Sequence, residues 1–167
     1  MRYRIIPAIT SLAVVLLAQG CGGYSNSFLH RQDISSVYVE MFETDSFRRG
    51  HEYTLTDAIC KHIEARTPYK IVSDRSLADS VLSGSLRIGQ AVLSGERHTG
   101  TPLQNETSAA VTVTWKNLKT GQLLIDRQTV YGSADYSTQL GQSFDYAIAY
   151  SVNQAAERVV EMMEQPW

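Results

Sequence analysis

The chain has 167 residues, with 15 Lys plus Arg against 17 Asp plus Glu, 43% hydrophobic residues and two cysteines. That composition is too apolar for a disordered chain and long enough for a real core, and two cysteines exclude a disulfide scaffold. A net charge of -2 gives no general field for nucleic acid, whose binding rests on neutralising phosphates, so no nucleic-acid partner is expected.

At the N-terminus, Arg2 and Arg4 precede an uncharged run from Ile5 to Ala18 that includes Leu12, Val14, Val15, Leu16 and Leu17. A basic start and a short apolar stretch are the parts of an export signal, and a permanent span needs about 20 apolar residues. Leu17-Ala18-Gln19-Gly20-Cys21 resembles the lipobox of bacterial lipoproteins. The resemblance implies a signal peptide over residues 1–20, Cys21 as the acylated first residue carrying fatty chains such as palmitate, a tether over 21–32 and one domain over 33–167. Several buried acyl chains anchor a protein without a transmembrane helix. An ordinary secretory signal is the alternative, leaving Cys21 as a thiol able to pair with Cys60 in an oxidising compartment. Gly22 after the cysteine resembles the sorting pattern for the outer membrane, which implies a place on its periplasmic face. Loss of Arg2 and Arg4 takes the net charge from -2 to -4.

Gly22 to Ser27 is small and polar, as a tether should be. Ile34 to Glu40, around Val37-Tyr38-Val39, reads as a first strand, followed by a polar segment through Glu43, Asp45 and Arg49. From Gly50 to Arg66, Leu55, Ile59 and Ile63 recur at helical spacing, and Pro68 stops the helix. Tyr69 to Ser73 is a short strand and Asp74 to Ser80 a polar turn. Three segments rich in Val, Leu, Thr and Tyr follow, Val81 to Leu93, Ala109 to Leu118 and Gln122 to Gly132, and read as an antiparallel meander. Val111, Val113 and Trp115 alternate with Thr112, Thr114 and Lys116, which gives one dry and one wet face. Ser94 to Thr107 reads as a long polar loop carrying Arg97 and His98, and Gly84 and Gly89 read as strand bulges. Phe144, Ile148, Val152, Ala155, Val159, Met162 and Met163 mark one face of a final helix from about Gln142 to Glu164. The order β-α-β-β-β-β-α predicts an α+β fold, a two-layer sandwich with two helices on one face of a mainly antiparallel sheet of four or five strands.

No catalytic signature is present: there is no nucleophile elbow, phosphate loop, dinucleotide fingerprint or zinc-protease motif. Cys60 and His62 lie two residues apart on a helix and face different ways, and the other histidines are scattered, so neither a metal nor another cofactor is expected. A non-enzymatic role follows, with a periplasmic hydrolase of unrecognised site as a minor alternative.

The segments Cys21-Gly22-Gly23-Tyr24, Val37-Tyr38-Val39, Ser46 to Gly50 before Leu55 to Ile59, Ala65-Arg66-Thr67-Pro68-Tyr69, Ala78-Asp79-Ser80-Val81-Leu82-Ser83-Gly84 and Trp115-Lys116-Asn117 stand in an order and spacing that resembles the LptE family of lipopolysaccharide-assembly lipoproteins. Met163 to Trp167 is similar to endings in a divergent branch of that family. The resemblance implies a non-enzymatic lipoprotein held in the inner leaflet of the outer membrane, partnering the LptD-type β-barrel as plug and chaperone and assisting assembly of lipopolysaccharide. Anionic lipid A implies basic contacts, and Arg87, Arg97, Lys116 and Lys119 are candidates by charge alone. Tyr146 and Tyr150, off the apolar stripe of the final helix, are candidate partner contacts. The alternative is another envelope lipoprotein of similar build, a secretion-pore component or an activator of a cell-wall synthase.

Overall fold

The computed structural model describes residues 30–44, 46, 49–95 and 102–164. The signal segment, Cys21 and most of the tether lie outside them. Six strands form one sheet: β1 (Ser36–Val39), β2 (Glu43–Thr44), β3 (Lys70–Ile71), β4 (Ser80–Gly95), β5 (Pro102–Asn117) and β6 (Leu123–Tyr136). Two helices, α1 (His51–Arg66) and α2 (Phe144–Glu161), cover one face of it. The α+β sandwich is the one expected from the sequence, with β2 as an additional strand in what reads as a polar segment.

The sheet order is β3-β1-β4-β5-β6, with β2 following β1 along the same edge of β4. The pairings of β1 with β3 and β4 and of β2 with β4 are parallel, while β4-β5 and β5-β6 are antiparallel. Helix α1 is thus the crossover between two parallel neighbours, and the meander supplies the remainder.

Each helix has identifiable ends. Gly50 adopts φ 105°, a left-handed conformation that glycine enters without cost, and its N–H donates to Glu52 at 2.8 Å. At the other end the Thr67 hydroxyl and N–H both donate to the Ile63 carbonyl, just before Pro68. Helix α2 begins at Ser143, whose hydroxyl accepts from Tyr146 N–H, and has Asp145 in its first turn and Arg158 in its last, matching the helix dipole. Leu55, Ile59 and Ile63 of α1 and Ile148, Val152, Ala155 and Val159 of α2 are fully buried against Val111, Val113 and Trp115.

Small residues let α2 sit close to the sheet. A Cβ on Gly132 would lie 2.0 Å from the Ser151 carbonyl oxygen, and Ala109, its partner on β5, is fully buried beneath the same helix. The Ser151 hydroxyl donates to Ala147 O and Thr107 O, so it enters the core with its hydrogen bonds made.

Two expectations are corrected. Gly84 and Gly89 lie in unbroken register with Val113 and Ser108, and the irregularities of β4 fall between Val92 and Gly95. Glycine at 84 instead makes room for the Phe42 ring, 2.7 Å from where a Cβ would stand, and at 89 for the Ser108 hydroxyl. The segment read as a loop to Thr107 is strand from Pro102, because Asn105 and Thr107 are buried within the sheet despite their polarity.

Candidate functional site

Both helices run from the pole where Ser46 and Ser143 lie to the pole where the chain enters the domain at His30. The entry pole gathers segments far apart in sequence. Asp79 accepts from Ser35 N–H at 2.8 Å and Ser36 N–H at 3.2 Å, and its other oxygen meets the Lys119 ammonium at 2.6 Å. The Ser36 hydroxyl accepts from Asp79 N–H at 2.9 Å, and the Ser80 hydroxyl donates to Ser36 O while accepting from the buried Trp115 indole at 3.0 Å. Asn117 closes the β5-β6 turn by accepting from Lys119 and Thr120 N–H, and its amide donates to Asp33. Tyr69 packs between His30 and Trp115, each ring centroid 5.8 Å away, and its hydroxyl accepts from Arg31 N–H.

These bonds explain three of the sequence segments singled out above. Ala78-Asp79-Ser80, Trp115-Lys116-Asn117 and Pro68-Tyr69 form one latch tying the starts of β1 and β4 to the end of β5. Hydrogen bonds from Lys119 first, and from Ser35 and Ser36 N–H, hold the Asp79 carboxyl below its usual pKa.

The basic candidates do not form one cluster. Lys116 and Lys119 lie at the entry pole, but Lys119 is engaged with Asp79. Arg87 is exposed on β4, opposite Ala110, six residues along β5 from Lys116 and so about 20 Å from it. Arg97 lies outside the described residues. Lys116 is exposed and has no ion-pair partner among the described residues. Tyr146 and Tyr150 are exposed, 71% and 56%, as expected from their place off the stripe. They share their flank of α2 with Gln154 and Arg158, which bond to the outer edge of β6 at Ser133 N–H and Tyr131 O.

The sheet face opposite the helices carries no helix among the described residues and is rich in hydroxyls. Ser83 and Ser85 lie beside Thr114 and Thr112, and the hydroxyls of Thr112 and Thr129 bond across strands at 2.9 Å. Among the described residues no group of three or more His, Cys, Asp or Glu is arranged to hold a metal, and no helix is long and apolar enough to cross a membrane. Cys60 is half-buried on α1, and burial, then Asp57 and Glu64, push its thiol pKa up, which makes it a poor nucleophile. The sequence reading missed the cations around the chain entry, Arg31, Arg66 and Lys70, because two segments far apart in sequence bring them together.

An open mixed sheet with two helices on one side defines the class of α+β sandwich domains. Within that class, residues 34–165 match the family model described as LptE, lipopolysaccharide-assembly, and the chain belongs to that family. Rare lipoprotein B from Shewanella oneidensis shares the fold at 16% identity, covering 77% of this chain and 93% of its own, with a TM-score of 0.52. The uncharacterized lipoprotein B from Nitrosomonas europaea does so at 12% identity, covering 77% and 81%, with a TM-score of 0.56. The PelC dodecamer from Paraburkholderia phytofirmans matches at 12% identity, covering 81% and 93%, with a TM-score of 0.53. Comparison with curated protein sequences finds no match.

Proposed function

We propose that this chain is a non-enzymatic lipoprotein of the outer membrane, anchored through Cys21 on the periplasmic side, that partners an LptD-type β-barrel as plug and chaperone in lipopolysaccharide assembly. The observation that carries the reading is the family match over almost the whole folded domain. The physical form agrees with it. A barrel lumen is polar, and the sheet face opposite the helices presents Ser83, Ser85, Thr112, Thr114 and Thr129. Arg87 and Lys116 on that face are cations that an anionic lipid could meet, and Arg97 is a further candidate by charge; Lys119 serves the latch first.

Two measurements test the proposal. Replacing Cys21 by Ser is expected to move the protein from the membrane fraction to the soluble one, and unchanged partitioning refutes the anchor. Affinity capture of the membrane-extracted protein is expected to recover a large β-barrel. The structural likeness to PelC, solved as a dodecamer, favours one second reading, a component of a secretion pore. A ring of identical copies without a barrel in the captured material establishes that reading and removes the first.

A further inference from the structure

Beside the point where the chain enters the domain is a cavity of about 600 Å3, whose walls include His30, Arg31, Ile34, Arg66, Pro68 and Lys70. Among the described residues three cations and no carboxylate line it. Arg66 is held from behind by Glu157 and Glu161 and serves as a fixed wall. The Arg31 guanidinium pairs with Asp33 at 3.4 Å, and Lys70 has no ion-pair partner among the described residues. His30 is 6% exposed, stacked edge-on to Tyr69, and its Nδ1 is buried with no hydrogen-bond partner. The His30 ring thus stands in the wall of a cationic cavity and will report on whatever enters it.

We propose that this cavity receives the phosphodiester headgroup of an anionic glycerophospholipid. Arg31 and Lys70 meet the phosphate, the His30 ring forms part of the wall beside them, and Ile34 and Pro68 face the glycerol and the first methylenes. Lys70, with Arg31 shared with Asp33 at 3.4 Å, suits a singly charged diester, and apolar walls favour a phosphate that carries hydrocarbon over free phosphate. The supply of lipid rests on the reading of Cys21 as acylated: His30 is nine residues beyond it, and nine residues span at most about 30 Å, so the cavity stays within reach of the leaflet that holds the anchor.

The test uses the chain as purified, whatever the state of Cys21. It is titrated by calorimetry with dihexanoyl phosphatidylglycerol below its micelle concentration, while the His30 imidazole nitrogens are followed by NMR. Saturable binding that moves the His30 resonances, and that weakens about tenfold or more in R31Q/K70Q with thermal unfolding unchanged, is the expected result. Should the double variant fail to fold, K70Q alone, at an exposed and unpaired side chain, is expected to show a smaller loss in the same direction. Equal binding of dihexanoyl phosphatidylcholine, or unmoved His30 resonances, overturns the proposal. So does displacement by equimolar inorganic phosphate, preferential displacement by a phosphorylated glucosamine lipid, or an equal loss in K116Q. Mass spectrometry of Cys21 tests the anchor separately, so failure of one reading is distinguishable from failure of the other.

Discussion

At Asp79 three donors converge on one carboxylate: Ser35 N–H, Ser36 N–H and the Lys119 ammonium. The group is only 15% exposed, so its bonds count for more than those of a surface pair. Asp79→Asn is expected to cost on the order of 1–3 kcal/mol in urea unfolding at neutral pH, the range for hydrogen bonds to a charged group. Because the folded state lowers the Asp79 pKa, its contribution is present above the ordinary carboxylate value and is lost as pH falls through the depressed one. The wild-type chain should therefore lose stability faster than the Asn variant as pH drops below about 4. Melts compared at neutral and acid pH check the sign; parallel loss in both proteins refutes the role given to Asp79. The sequence shows Ala78-Asp79-Ser80 as a motif but not its purpose, since the partners lie 43 and 40 positions away in Ser36 and Lys119. The cations of the entry cavity were illegible for the same reason.

Among the elements, α2 was the most legible, because seven apolar residues at helical spacing have few alternative explanations, and β5 followed from its strict alternation. The hidden parts are those with little side-chain signal. Strand β2 has two residues, Glu43 and Thr44, and exists because β4 offers them a parallel edge. The start of β5 is hidden by polar residues that the sheet buries. How closely α2 approaches β6 depends on Gly132, where Gly132→Val should drive apart Ser151 and the strand. A loss of about 1–3 kcal/mol in denaturant unfolding is expected, the usual range for overpacking, and a neutral result contradicts the close contact. The same helix guards the edge of the sheet. Gln154 and Arg158 occupy Ser133 N–H and Tyr131 O, which would otherwise be open to a foreign strand. The double change Gln154→Ala and Arg158→Ala is expected to give concentration-dependent self-association in sedimentation velocity; a variant that stays as dispersed as the parent rules out the guarding role.

For the whole molecule, the class of fold followed from element order, while the parallel pairing of β1 did not, since nothing local tells Val37 that its neighbours are Ile71 and Ser80. The result is a domain with two unlike ends. The entry pole is cross-tied by the Asp79 latch and carries the cationic cavity, and the other holds the start of both helices and the far reach of β4 and β5. From Ala91 to Gly95, β4 is exposed while still paired to β5, so the ladder outlasts the core that supports it. Protection from hydrogen exchange should accordingly fall along a single strand. Amides near Leu82 and Leu86 should open only with global unfolding, and those beyond Ala91 through local fraying at far lower free energy. A protein built this way can yield at one tip, reshaping against whatever it meets there, while its cross-tied end keeps its form.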